Sequence, residues 1–149
     1  MLPDYFRFLC VNETGQLQTY NSGARLDVGW KGWKLDGDGA LVYQAQQTDD
    51  FGFGTGDSIS NGSDLSGTAV NNGSDKYMGL AGIFHAKTNH ASTAGEFHLF
   101  VEISDDGGTT WPSDKADFDP MLDDAILLAT IPAMTSTRDD VEKPFVFEG

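Results

Sequence analysis

Across residues 96–103 the hydrophobic positions alternate: Phe97, Leu99, Val101 and Ile103 point one way, Glu96, His98 and Glu102 the other. Period two marks a strand with one buried face. Phe100 interrupts the polar side, which calls for a second layer or a partner subunit over it. Residues 5–11 read as a first strand ending at Asn12-Glu13-Thr14-Gly15, and residues 16–20 as a second. Residues 25–34 alternate loosely, with Leu26, Val28 and Trp30 on one face. Trp33 falls out of phase there, and Gly32 before it predicts a bulge. The Asp36-Gly37-Asp38-Gly39 turn then joins residues 25–34 to a strand at 40–47 as a hairpin.

From 48 to 74 the pattern dissolves into Asp, Gly, Ser and Asn, with Phe51, Phe53, Ile59, Leu65 and Val70 as isolated apolar points. Asn61-Gly62 and Asn72-Gly73 mark sharp turns. A loop of this length, or one broken by short ladders, is a natural place for partner contact. Strand character resumes at 78–87, turns at 88–94, and returns antiparallel along 96–103. An acidic irregular segment (112–124), a short apolar strand (125–131) and a polar stretch (133–140) follow. The chain closes on 144–148, where Phe145 and Phe147 share a face. About eight strands with glycine-rich turns and no convincing helix predict an all-β fold. The expected form is a single antiparallel β-sandwich domain over 1–149, jelly-roll-like, with long Gly/Asp-rich loops.

Charge narrows the function classes. The 149 residues hold 23 acidic against 9 basic side chains, a net charge of −14. Such a surface repels nucleic-acid phosphates and anionic membranes, so neither is an expected partner. Cys10 is the only cysteine and reads as a buried strand thiol. Met1-Leu2-Pro3-Asp4 shows no secretory pattern, and no run has the length of a membrane span, so synthesis in a cytoplasm is expected.

Ser104, Asp106, Gly108, Thr110 and Trp111 match the Asp-box turn of sialidase propeller blades at each defined position. The Asp carboxylate accepts turn amides, Gly108 allows a positive φ, and Trp111 packs beneath. Such a box is a structural turn, and it occurs once here. The longer phrase, a strand running into Ser-Asp-Asp-Gly-Gly-Thr-Thr-Trp-Pro and then Asp117-Phe118-Asp119, resembles the small β-sandwich accessory proteins of tailed-phage virions. The match is sharp over residues 96–112 and loose over most of the chain. That resemblance implies a virion location and an assembly role without catalysis, as a capsid decoration or head/tail accessory. It also implies self-association as a trimer or other small homo-oligomer, bound to a major capsid or tail protein. Phe6, Phe8, Phe51, Phe53, Phe145 and Phe147 are the candidate partner contacts.

Other chemistry finds less footing. Paired carboxylates recur at Asp36/Asp38, Asp49/Asp50, Asp105/Asp106, Asp117/Asp119 and Asp123/Asp124. Turn formation and solubility account for them, without an EF-hand register. Calcium held by Asp105, Asp106, Asp117 and Asp119 is the one cofactor alternative; otherwise none is expected. His85, His90 and His98 lack a companion ligand set for zinc and read as surface or edge residues. Arg7, Arg25 and Arg138 form no recognisable substrate clamp, and no catalytic residues are assigned. The alternative function is a carbohydrate-binding or host-recognition module of a tail assembly, with Trp30, Trp33, Tyr43 and Trp111 as a glycan platform.

Overall fold

The computed structural model describes residues 1–89, 95–119, 125–132 and 140–149. His90, Asp123, Asp124, Arg138, most of the 88–94 turn and most of the 133–140 stretch lie outside the described residues. Twelve strands are described: β1 (Tyr5–Glu13), β2 (Gln18–Thr19), β3 (Arg25–Leu35), β4 (Leu41–Tyr43), β5 (Gln47–Asp49), β6 (Ser58–Ile59), β7 (Ser63–Ser66), β8 (Val70–Asn71), β9 (Gly79–Lys87), β10 (Glu96–Ile103), β11 (Ala125–Ile131) and β12 (Asp140–Glu148). They form two five-stranded antiparallel sheets. Sheet 1 runs β11-β10-β1-β7, with β8 also on β1; sheet 2 runs β12-β9-β3-β4, with β5 also on β3. β2 and β6 make a separate ribbon. The fold is thus all-β and sandwich-like. The four strands beyond the expected eight lie in or at the edge of the 48–74 region, each two to four residues long.

The inner faces follow the alternation. Phe6, Phe8 and Cys10 from β1 and Phe97, Leu99 and Val101 from β10 are fully buried. They meet Leu26, Val28 and Trp30 of β3, Leu80 and Phe84 of β9, and Phe145 of β12 in one cluster. Phe8 lies edge-on to Trp30 and Phe145, with ring centroids 5.9 and 6.0 Å away, the arrangement aromatic quadrupoles prefer. Burial pushes the Cys10 thiol well above its ordinary value, so it packs as a small hydrophobe.

Two local expectations are corrected. Residues 78–87 and 96–103 do not pair: β9 sits between β3 and β12, while β10 sits between β1 and β11. β10 is buried on both faces, so it takes a central position in its own sheet. Gly32 marks no bulge, since the β3–β9 register runs unbroken from Arg25↔Lys87 to Trp33↔Gly79. Its missing side chain makes room for the Tyr77 ring, which lies 2.7 Å from where a Cβ would stand. Register shifts fall instead at Leu99/Phe100, opposite β11, and on the other edge of β3, where residues 44–46 set three residues against Lys31 and Gly32.

Residues 48–74 are held by buried polar groups. Asp49 is 8% exposed; its Oδ1 accepts the Phe51 amide and its Oδ2 the Thr68 amide. Asn12 donates to the carbonyls of Gln16 and Ile59, and Asn72 to those of Leu2 and Tyr77. Phe51, Phe53 and Ile59 enter the main core. A buried amide or carboxylate meets its hydrogen-bonding demand by tying irregular backbone together.

Gly82 offers a test of the core's tolerance. A Cβ there would stand 2.6 Å from both the Gly29 carbonyl oxygen and the Phe145 ring. Gly82→Ala should lower stability by about 1–3 kcal/mol in urea unfolding, as overpacked cores do. Gly37→Ala, at a position open to solvent, should change it little.

Candidate functional site

The outer face of sheet 1 is covered by the chain that follows β10. Ser104 Oγ donates to Asp106 Oδ1 at 2.7 Å and accepts the Gly108 amide at 2.9 Å. Asp106 Oδ1 also accepts the Thr109 and Thr110 amides, and its Oδ2 the Thr110 hydroxyl. The backbone and hydroxyl donors of Thr110 come first among the causes that hold the Asp106 carboxyl far below the usual carboxylate range. Gly107 and Gly108, at φ of 80° and 84°, supply the left-handed backbone that the turn requires.

That turn delivers Trp111, Pro112 and Ser113 onto β1 and β10. Arg7 and Glu102 face each other in the β1–β10 register. Arg7 Nε donates to Glu102 Oε1 at 2.6 Å, and its guanidinium lies 4.4 Å from the Trp111 ring centroid. Glu102 is wholly buried, and Ser113 adds its amide and hydroxyl as further donors to it. Arg7 Nη2 also donates to Ser113 Oγ. Each buried charge therefore has a partner and hydrogen bonds, the condition under which a buried pair is tolerated. Beside it, Leu9, Val11 and Phe100 form a small second core with Phe118 and Ala125 against them. The second layer required over Phe100 comes from the chain itself.

Two histidines tie strands together. Asp27 of β3, His85 of β9 and Asp140 of β12 stand side by side: His85 Nδ1 is 2.8 Å from Asp27 Oδ2, and Nε2 meets Asp140 Oδ1. Burial pulls the His85 imidazole down. Hydrogen bonds to both aspartates, and their charges, outweigh it, so it sits above its ordinary value. His98, expected at the surface, is 5% exposed; its Nε2 is 3.2 Å from carboxylates of both Glu13 and Glu96. Its burial follows from β10 being central and covered on both sides. Among the described residues no group of three or more His, Cys, Asp or Glu is placed to hold a metal ion.

Sheet 2 presents a different outer face. Ile83 is 45% exposed and Val146 65%, with Ala81, Gly29 and the exposed Pro144 beside them. Small side chains at Gly29 and Ala81 leave a groove of about 290 Å³ whose walls include Lys31, Gln46 and Ile83. At the neighbouring edge β4 exposes Leu41, Val42 and Tyr43 in succession.

The residues singled out from sequence are therefore scattered. Ser104, Asp106, Gly108, Thr110 and Trp111 form one turn. Phe6, Phe8, Phe51, Phe53 and Phe145 lie inside the chain's own core, and Phe147 packs against it. In the folded chain their rings are spent on internal packing. The four aromatics of the glycan reading occupy three places. Trp30 is in the core, and Trp111 is 7% exposed under Arg7. Trp33 and Tyr43 pair across β3 and β4. Arg7, Glu102, Ile83 and Val146 were not singled out. The signal for the last two was present: Leu80, Phe84 and Ala86 fill the buried phase of β9, which puts Ile83 on the phase facing solvent.

No family model, curated protein or solved structure matches this chain.

Removing one member of the buried pair should expose its worth. Arg7→Ala leaves Glu102 without its counter-charge and should cost about 3–5 kcal/mol of stability, while the double variant Arg7→Met/Glu102→Leu should recover most of that loss. Chemical denaturation of the single and double variants measures both.

The raised His85 value fixes the sign of a pH effect. The unfolded histidine titrates near 6.5, so the stability from the Asp27–His85–Asp140 tie is fully present below about pH 6.5 and is lost as pH rises through the native value. His85→Gln should flatten that part of the Tm-against-pH curve in thermal unfolding.

Proposed function

We propose that the protein is a structural component of a virus particle, a jelly-roll-like sandwich that works by contact with other proteins and without catalysis. A capsid decoration or head/tail accessory on a major capsid or tail protein is the role this reading assigns, with synthesis in the host cytoplasm and final residence on the virion. The observation that carries the contact role is the outer face of sheet 2. Ile83, Val146, Pro144 and the β4 edge expose apolar area on a chain of net charge −14. Contiguous apolar surface rimmed by polar residues marks a site of protein contact. The particle role rests on the resemblance of residues 96–112 to phage accessory sandwiches. The turn in that phrase, built around Asp106, is used to lay Trp111 beneath the Arg7 guanidinium. The jelly-roll reading has support in the connections, since β9 to β10 and β11 to β12 each pass from one sheet to the other.

Antibody against the purified chain should label intact particles from the same source in negative-stain electron micrographs. The chain should also co-sediment with those particles through a density gradient. Unlabelled particles, with all of the chain left at the top of the gradient, would refute the particle role.

A further inference from the structure

We propose that the outer face of sheet 2 is where two copies of this chain meet, packed face to face about a two-fold axis that runs across the strands. This deepens the contact reading above and rests on it.

Charge selects the occupant. The strands of sheet 2 carry five basic residues, Arg25, Lys31, Lys34, Lys87 and Lys143. They also carry five acidic ones, Asp27, Asp49, Asp140, Glu142 and Glu148. Of these, Lys34 lies over the Tyr77 ring, Lys143 stands in the inward phase opposite Phe84, and Asp49 is buried. The outer face therefore carries Arg25, Lys31 and Lys87 against Asp27, Asp140, Glu142 and Glu148, a sum of −1, and −13 of the net −14 resides elsewhere on the chain. A second copy, equally acidic, is repelled by every other side and least by this one. A partner recruited by positive charge would instead favour the acidic remainder.

The pattern on the face is self-complementary. Three rows cross β3, β9 and β12 in register. Asp27, His85 and Glu142 make the first; Gly29, Ile83 and Pro144 the second; Lys31, Ala81 and Val146 the third. A two-fold axis along the middle row turns the third row of one copy onto the first row of the other. Lys31 then faces Asp27 of the second copy, twice by symmetry, the Ile83 rows meet at the centre, and Val146 lies against Glu142 of the second copy along the β12 rim. This is the isologous arrangement of a closed dimer. The groove over Gly29 and Ala81 gives an apolar side chain from the opposite copy somewhere to sit.

The size is adequate. Strands β12, β9 and β3, nine or more residues long at about 3.3 Å each and about 4.8 Å apart, with the short β4 and β5 along the far edge of β3, span a face roughly 20 by 30 Å before side-chain relief is added. A specific interface takes about 800 Å² from each partner, and this face, its β4 edge included, is of that order once side-chain relief is counted.

Sedimentation equilibrium of the purified full chain, over the widest soluble concentration range, is the test. The wild type should fit a monomer–dimer equilibrium. Ile83→Glu should be monomeric throughout, and Lys31→Glu, which sets a carboxylate opposite Asp27 of the second copy, should weaken the dimer roughly tenfold. Ile83 and Val146 are solvent-exposed, so both tolerate a charge in the monomer; circular dichroism checks this, and Val146→Glu replaces Ile83→Glu if the latter misfolds. A monomeric wild type overturns the proposal, as does a dimer indifferent to these changes. A trimer, which a two-fold face cannot produce, overturns it too. If the wild type is monomeric and Ile83→Glu abolishes particle labelling, the face serves the particle and the pairing is refuted. A dimer that fails to label particles supports the pairing and refutes the particle role.

Discussion

Phe8 is the point at which the two sheets become one body. Its ring projects from the centre of sheet 1 and meets Trp30 and Phe145 of sheet 2 edge-on, with Phe6 beside it at 6.1 Å. Four large aromatic side chains from β1, β3 and β12 thereby share one volume. Every strand that reaches that volume must present its apolar phase inward. Gly82 has no side chain because the Phe145 ring occupies the space a Cβ would need. The constraint propagates outward: with Phe6, Phe8 and Cys10 committed to the inner face, Arg7, Leu9 and Val11 must lie on the outer one.

From that consequence the two outer faces diverge. β1 and β10 carry Arg7, Leu9, Val11, Phe100 and Glu102 outward, a surface too apolar and too charged to leave bare. The chain covers it locally, turning at Asp106 to bring Trp111, Ser113 and Phe118 down upon it. An ion pair sealed this way gains from the extra donors on Glu102, because the desolvation of a buried carboxylate can exceed its Coulombic attraction to one partner. Sheet 2 has exposed apolar residues in the same outward position, at Ile83 and Val146. The same physics is answered inside the molecule on one side, while on the other the apolar residues stay exposed.

Strand alternation made much of this legible. The inward phases of residues 25–34 and 96–103 are those observed, and the unusual Phe100 announced a covering layer. Pairing partners were less accessible: β9 and β10 adjoin in sequence yet lie in different sheets, and only the double-sided burial of β10 reveals it. Residues 48–74 are the loop broken by short ladders that the pattern allowed, but what holds it was hidden for another reason. Asp49, Asn72 and Asn12 are internal staples, but their residue types are also those of solvated turns, and composition cannot separate the two uses. The aromatic residues chosen as contacts failed to mark a surface because a phenyl ring signals burial without saying whose core it enters.

Acidity and the bare face make sense together. A chain of net charge −14 is kept apart from its copies by long-range repulsion, which physiological salt shortens to about 8 Å. On the proposed pairing, the outer face of sheet 2, whose charges nearly cancel, presents apolar contact within that range without the opposing field. Encounter on any other side is penalised by like charge, so orientation is chosen before contact is made. On that proposal the acidity restricts a sticky protein to one sticky side, through the same distribution that leaves Lys31 and Asp27 on either side of the Ile83 row of a nearly neutral face.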